Sequence, residues 1–291
     1  MKTSTQLKAK VRNLAVQNGL KPEVILRNFF LERFLERIAV SPYRDKFILK
    51  GGMLIGSIAG LYNRTTMDCD TTIAGFSLSK ENLHIILMEI MESNIEDNVE
   101  MHLISIDDIH EDFDYPGLRA VISAQLDKTK QTIKIDITTG DVITPAEIEY
   151  PFQLMFEDRK INVLAYNLET VLAEKLETIL SRNVVNTRMR DYYDIWLLSN
   201  LKKSCIEIPV LNLAFTGTAQ KRGTYHELLK NGDSYMDAVC KDIQLKDLWN
   251  SYRKKNPYVG ELDFDEVMIS VHSLWTKIRQ ISRNEIHGKI I

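Results

Sequence analysis

The chain predicts an α+β fold: a mixed sheet with flanking helices, followed by a helical C-terminal region. Three observations carry this. Residues 99–106, 118–126 and 132–138 form a cluster of β-type runs rich in Val, Ile and Leu. Helical spacing precedes them, at 22–38 and 78–91. Past residue 157 helical patterns take over, at 168–180, 191–201 and 264–281.

Taken in order, residues 4–18 predict a helix that Gly19 ends, and Pro22 at a first-turn position opens a second. That second helix carries an apolar stripe through Ile25, Phe29, Phe34 and Ile38, with Arg27, Arg33 and Arg37 off it. Phe47-Ile48-Leu49 reads as a short strand, Lys50-Gly51-Gly52 follows, and the apolar run 53–61 reads as a helix. Residues 67–74 alternate as a strand. After the helix at 78–91 and the three strands comes a short strand at 160–164. A basic connection at 182–190 separates the helices at 168–180 and 191–201, and a Gly/Thr-rich loop is expected at 216–224. A boundary near residue 157 divides a first domain, 1–157, from a mainly helical second, 158–291.

With 44% hydrophobic and 26% charged residues, the composition is globular and excludes disordered or collagen-like chains. The net charge of −3 conceals asymmetry: residues 1–50 hold 11 Lys+Arg against 4 Asp+Glu, and residues 51–150 hold 6 against 18. This suits a cation site beside a polyanion-binding surface, or solvated charge unevenly spread. No run approaches the roughly 18 to 20 apolar residues of a membrane span, and none suits a signal peptide, so the expectation is a soluble cytoplasmic protein with no membrane contact. Cys69, Cys205 and Cys240 lack C-x-x-C spacing, which fits reduced thiols.

In Met67-Asp68-Cys69-Asp70-Thr71-Thr72-Ile73, Asp68, Asp70 and Thr72 share one strand face. Carboxylates two residues apart lie about 6.5 Å apart along a strand, within reach of shared hard cations. In 132–138 the isoleucines at 133, 135 and 137 belong to the core, which leaves Asp136 on the other face. If the two strands are neighbours, three acids meet and repel unless a divalent ion neutralises them. For D-x-D alone, an acidic solvent-facing strand is the alternative. Gly51-Gly52 lets the backbone approach a phosphate at a helix start, or simply makes a tight turn. Arg64 suits a bidentate phosphate contact or an exposed loop. Lys175 interrupts the apolar stripe of 168, 171, 172 and 179, and must snorkel or meet an anion such as a nucleotide's phosphates. Asp191 and Asp194 stand one helical turn apart behind Arg188 and Arg190, where capping is the plainer account.

In this order the residues Phe47-Ile48-Leu49-Lys50-Gly51-Gly52-Met53-Leu54-Ile55, Arg64-Thr65-Thr66-Met67-Asp68-Cys69-Asp70, Ile135-Asp136, Glu174-Lys175-Leu176 and Arg190-Asp191-Tyr192-Tyr193-Asp194 resemble the AbiEii/AbiGii toxin family, a group that includes the MenT toxins. The resemblance spans about residues 20–200. It implies a DNA-polymerase-beta-like nucleotidyltransferase core, in the toxin half of a type IV toxin–antitoxin system acting in abortive infection and phage defence. It further implies that Gly51 and Gly52 hold the incoming nucleotide with help from Ser57, and that Asp68, Asp70 and Asp136 bind two Mg2+ ions. Lys175 then contacts the triphosphate, Asp191 is the acid of the K/R-D-x-x-D element, and Asp194 ends it. With Arg64 added, the nucleotide-binding set is Gly51, Gly52, Ser57, Arg64 and Lys175. Two departures stand out: Met53 replaces the serine of the wider superfamily's Gly-Ser loop, and Arg190 takes a place often held by lysine.

The chemistry so implied is Mg2+-dependent transfer of a nucleoside monophosphate to an RNA 3′ end, tRNA first, which blocks translation and growth. GTP, CTP and UTP all stay open as the NTP substrate. A cognate antitoxin encoded nearby is the expected partner, and the basic first 50 residues with Arg182, Arg188 and Arg190 are where RNA phosphates would sit. Two alternatives remain. One is an antibiotic nucleotidyltransferase acting on an aminoglycoside, which calls for an acidic acceptor pocket and would show as resistance rather than growth arrest. The other is a non-catalytic nucleotide-binding interaction protein, which would bind nucleotide without metal-dependent turnover.

Overall fold

In the computed structural model, which describes residues 3–109 and 117–288, the chain runs α1 (Ser4–Asn18), α2 (Pro22–Val40), β1 (Phe47–Lys50), α3 (Gly51–Ala59), β2 (Cys69–Ile73), α4 (Lys80–Glu92), β3 (Val99–Asp108), β4 (Gly117–Leu126), β5 (Thr129–Thr139), β6 (Ile148–Gln153), β7 (Lys160–Ala165), α5 (Leu168–Arg182), α6 (Met189–Leu201), α7 (Ile208–Lys221), α8 (Tyr225–Lys241), α9 (Ile243–Lys255) and α10 (Phe264–Gly288). It divides into one unit formed by the residues up to Asp141 with Glu147–Tyr166, and another formed by Val142–Ala146 with the residues from Asn167 onward. The α+β class read from the sequence holds. The division falls beyond residue 157, because β6 and β7 are consecutive strands of the first unit's sheet.

That sheet has the order β3-β4-β5-β2-β1-β7-β6 and is mixed: β2 runs parallel to β5 and β1 parallel to β7, while the other pairs are antiparallel. One face is the core. Ile133, Ile135 and Ile137 lie beside Ala120, Ile122 and Cys69, all wholly buried, and α2 packs on β5 and β7. On its other face β5 exposes Lys130 and Lys134, then closes at the buried Asp136 and Thr138. The sequence passes over β6, which contains Pro151; proline is tolerated there because β6 is an edge strand paired only with β7.

The helix α2 corrects the picture of a basic N-terminal surface. Arg33 and Arg37 are buried, and Arg37 grips Asp97 through two hydrogen bonds of 2.8 and 2.9 Å while Arg33 pairs with Glu36 at 2.9 Å and Glu157 at 3.0 Å. These charges are spent inside the fold. The exposed basic residues of α1 are Lys8, Lys10 and Arg12.

In the second unit, α5 packs on α6 and α7, and α10 on α6 and α7. The loop expected at 216–224 is largely helix, since α7 runs to Lys221. Its Pro209 occupies the first turn, and Leu211, Ala214, Phe215, Thr218 and Ala219 form a buried stripe whose packing overrides the Gly/Thr composition. Helix α6 likewise begins at Met189, inside the expected basic connection, where a 3₁₀ turn spans Asn183–Val185. Among the described residues, no helix is long and apolar enough to cross a membrane.

Candidate active site

Strand pairing brings together what the sequence keeps 66 residues apart. Asp70 on β2 and Asp136 on β5 are register partners, as are Lys50 and Asp70 across β1 and β2, and Arg119 and Asp136 across β4 and β5. A single row therefore crosses four strands as Lys50, Asp70, Asp136 and Arg119, two acids flanked by two cations. Asp68 lies just before β2. Burial pushes its carboxyl above the usual range, and the neighbouring Asp136 and Asp70 push it further, against the opposing charges of Arg119 and Lys134. The three acids thus form one electrostatic cluster.

Each member of the row has a distinct partner. Arg119 holds Asp136 with a fork, Nε to Oδ1 and Nη2 to Oδ2, both 2.7 Å. Asp70 Oδ2 accepts from the Gly52 backbone N–H at 3.1 Å. Lys50 turns to Asp141 at 2.5 Å, and Asp141 also accepts from Thr138 Oγ1 at 2.9 Å. Burial would raise the Asp141 pKa, but the Lys50 charge and its hydrogen bonds hold it below the usual range.

The Gly51-Gly52 turn is fitted to this cluster. Gly51 has φ +62°, and a Cβ there would stand 2.1 Å from Asp70 Oδ2. A Cβ on Gly52 would stand 2.8 Å from Thr66 Oγ1 and 3.4 Å from Arg64 Nη2. Only glycine admits this approach. Asn28 of α2 fixes the facing loop by donating to the Thr66 carbonyl at 2.9 Å. Arg64 is therefore buried against the turn rather than an exposed loop residue, and it bonds the Thr65 carbonyl. Ser57 is directed elsewhere: its hydroxyl pairs with Tyr150 on the edge strand β6 at 3.0 Å, three strands from β2.

In the second unit, Lys175 meets an anion within its own fold. Its ammonium lies 2.7 Å from Asp191 Oδ1 and 2.8 Å from Asp194 Oδ2, both buried, and Arg188 Nε approaches Asp191 Oδ2 at 3.2 Å. Burial alone would raise Asp191; the charges of Lys175 and Arg188 overcome it and hold the carboxyl down at about 2. This cluster pins α5 to α6 and accounts for a lysine on an apolar stripe.

The donor set of the first unit, three carboxylates in mutual repulsion, fits a hard divalent cation. Its arrangement is closed, however: Arg119 occupies both oxygens of Asp136, and among the described residues no three His, Cys, Asp or Glu side chains stand in metal-holding geometry. Arg119 is the residue that sequence reasoning missed. The signal was a turn of two residues, Asp127 and Lys128, between Leu126 and Thr129; counting back from it along the hairpin pairs Arg119 with Asp136.

Comparisons with known proteins give the family and similar folds. The family model for the nucleotidyl transferase AbiEii toxin of type IV toxin–antitoxin systems matches residues 33–270. The crystal structure of JHP933 from Helicobacter pylori matches with a TM-score of 0.50 at 17% identity, covering 92% of this chain and 97% of that one. A nucleotidyltransferase-like antigenic protein from Paracoccidioides brasiliensis matches with a TM-score of 0.37 at 16% identity, covering 81% and 94%. No curated protein matches the chain.

Proposed function

Because the chain belongs to the AbiEii nucleotidyltransferase toxin family, we propose that it transfers a nucleoside monophosphate from an NTP to the 3′ end of an RNA, tRNA foremost, and so arrests translation. The observation that carries this reading is the in-register pair Asp70 and Asp136, with Asp68 beside them and a glycine turn built against Asp70. Family membership implies an antitoxin as the partner that restrains the toxin.

Asp68, Asp70 and Asp136 would hold the magnesium. Bound there, the ion would neutralise the triphosphate and the departing pyrophosphate and lower the pKa of the attacking hydroxyl. The residues of the chain supply the rest. Gly51 and Gly52 let the start of α3 close against Asp70, Thr66 and the Arg64 guanidinium, so that Arg64 would be the group beside this turn to meet a phosphate. Asp70 is held in place by the Gly52 N–H, so its other oxygen keeps a set direction. Asp136 orients the RNA hydroxyl and receives its proton.

Incubating the purified protein with total cellular RNA, Mg2+ and each α-labelled NTP tests this directly. Label should enter a small set of RNAs with the wild-type protein and fall by at least about a hundredfold with Asp70→Asn, the scale of losing an essential catalytic group. Absence of labelling with every NTP, or full labelling by Asp70→Asn, would sink the reading. On expression the protein should arrest growth; drug resistance instead would favour the antibiotic-modifying alternative.

A further inference from the structure

We propose that Arg119 closes the third carboxylate until a divalent cation claims it, and that the released guanidinium then binds the phosphates of the incoming nucleotide. The proposal rests on the nucleotidyltransferase reading above and adds a positioning residue that the motif of glycines and acids does not contain.

Three features of the row support it. The first is occupancy: the fork takes one hydrogen bond to each oxygen of Asp136, both at 2.7 Å. Each oxygen keeps a second lone pair, but a cation that shares Asp136 with Asp68 and Asp70 must bind against the guanidinium's positive charge, so the two compete for the carboxylate. The second is direction. The Arg119 side chain is 36% exposed and Asp136 only 6%, so the guanidinium lies on the open side of the carboxylate. A ligand arriving from solvent meets Arg119 first. The third is the balance of charge. Lys50, the other cation of the row, is already spent on Asp141, so Arg119 is the counter-ion that the row supplies to the acids.

The chemistry of the side chain suits the exchange. A guanidinium does not lose its proton in proteins, so it leaves a carboxylate only when another charge replaces it. Once displaced, its planar fork matches phosphate oxygens as well as it matches a carboxylate. Because Arg119 stands within β4, held in register from Gly117 to Leu126, a change of side-chain rotamer suffices and the backbone need not move.

The test uses Mn2+ alone as the probe, with no nucleotide and no RNA. Its affinity is measured by calorimetry on the full chain for wild type, Arg119→Lys, Arg119→Gln, Asp136→Asn and the double variant Arg119→Gln/Asp136→Asn. Lysine keeps the charge without the fork, so it separates grip from background potential and carries the test if the glutamine variant does not fold. Both Arg119 variants should bind Mn2+ about tenfold more tightly, the effect of removing one competing charge-assisted contact. Asp136→Asn should weaken Mn2+ binding in both backgrounds and abolish the gain from Arg119→Gln, so that its cost is about tenfold greater in the Arg119→Gln background. With Mn2+ present, α,β-methylene triphosphates should bind both Arg119 variants about tenfold more weakly than wild type.

Unchanged Mn2+ affinity in the Arg119 variants, a gain in Arg119→Gln alone, or equal loss from Asp136→Asn in both backgrounds overturns the closure. Equal analogue affinity in all three proteins overturns the transfer to phosphate. Failure of the RNA-labelling assay would remove the nucleotidyltransferase reading, whereas the Mn2+ comparison would still decide whether Arg119 closes Asp136.

Discussion

One methyl group at Gly51 measures how tightly the turn and the acid are built into each other. A Cβ there falls 2.1 Å from Asp70 Oδ2 in a residue with φ +62°. Gly19 supplies the control, since its φ is +64° and a Cβ at that position would meet nothing within 4 Å. Gly19→Ala should cost about 1–2 kcal/mol in urea unfolding, the left-handed conformation alone, and leave RNA labelling intact. Gly51→Ala should cost about 3 kcal/mol or more, because Asp70 must also shift, and labelling should be lost. Equal costs at the two sites would mean that Asp70 steps aside freely. The types and spacing of Gly51, Asp68, Asp70 and Asp136 were legible in the sequence. Their contacts were not, because the approach of Gly51 to Asp70 depends on how a strand, a turn and a loop close in space.

Between elements, a buried ion cluster links α5 to α6. Lys175 stands between the buried Asp191 and Asp194, and replacing it by methionine removes the cation that the two carboxylates share. Lys175→Met should destabilise the protein by about 3–5 kcal/mol at pH 7, measured by urea unfolding. The sign of its pH dependence follows from Asp191. The folded carboxyl, at about 2, lies below its ordinary value of 3.8, so the pair stabilises above pH 4 and the contribution is lost as pH falls through about 2. The deficit of the variant should therefore shrink on acidification, and a deficit constant from pH 7 to pH 3 would remove the ion cluster as its cause. Lys175→Arg keeps a cation between the acids, so RNA labelling by that variant separates the structural work of Lys175 from a contact with triphosphate. The sequence marked Lys175 as a lysine that must find an anion, and it named Asp191 and Asp194 without joining them to it. It misread 216–224 for the opposite reason: composition suggested a loop, while the stripe from Leu211 to Ala219 buries enough apolar surface to keep the segment helical.

For the molecule as a whole, the first 50 residues show how little a charge count says about a surface. Their excess of base includes Arg33, Arg37 and Lys50, all buried, and Arg37 and Lys50 answer Asp97 and Asp141 from the acidic stretch that follows. The same interlocking decides where the first unit ends. β7 lies between β1 and β6 in the sheet, pairs Ile48 with Leu164 and Leu49 with Ala165, and buries Ile161, Val163 and Ala165. Tyr166 adds a hydrogen bond from its backbone N–H to the Leu49 carbonyl at 3.0 Å. A fragment ending at residue 157 loses all of this: β1 becomes an open edge, β6 has no partner, and the strand that leads into Gly51-Gly52 is held on one side only. A fragment ending at residue 166 keeps the seven-stranded sheet. The longer fragment should therefore show mixed helix-and-sheet circular dichroism with a cooperative thermal transition, and the shorter one should show no cooperative transition. Cooperative unfolding of both would mean that β7 is dispensable to the sheet and that the first unit closes nearer residue 157, while failure of both would mean that the first unit cannot fold without the residues after Tyr166.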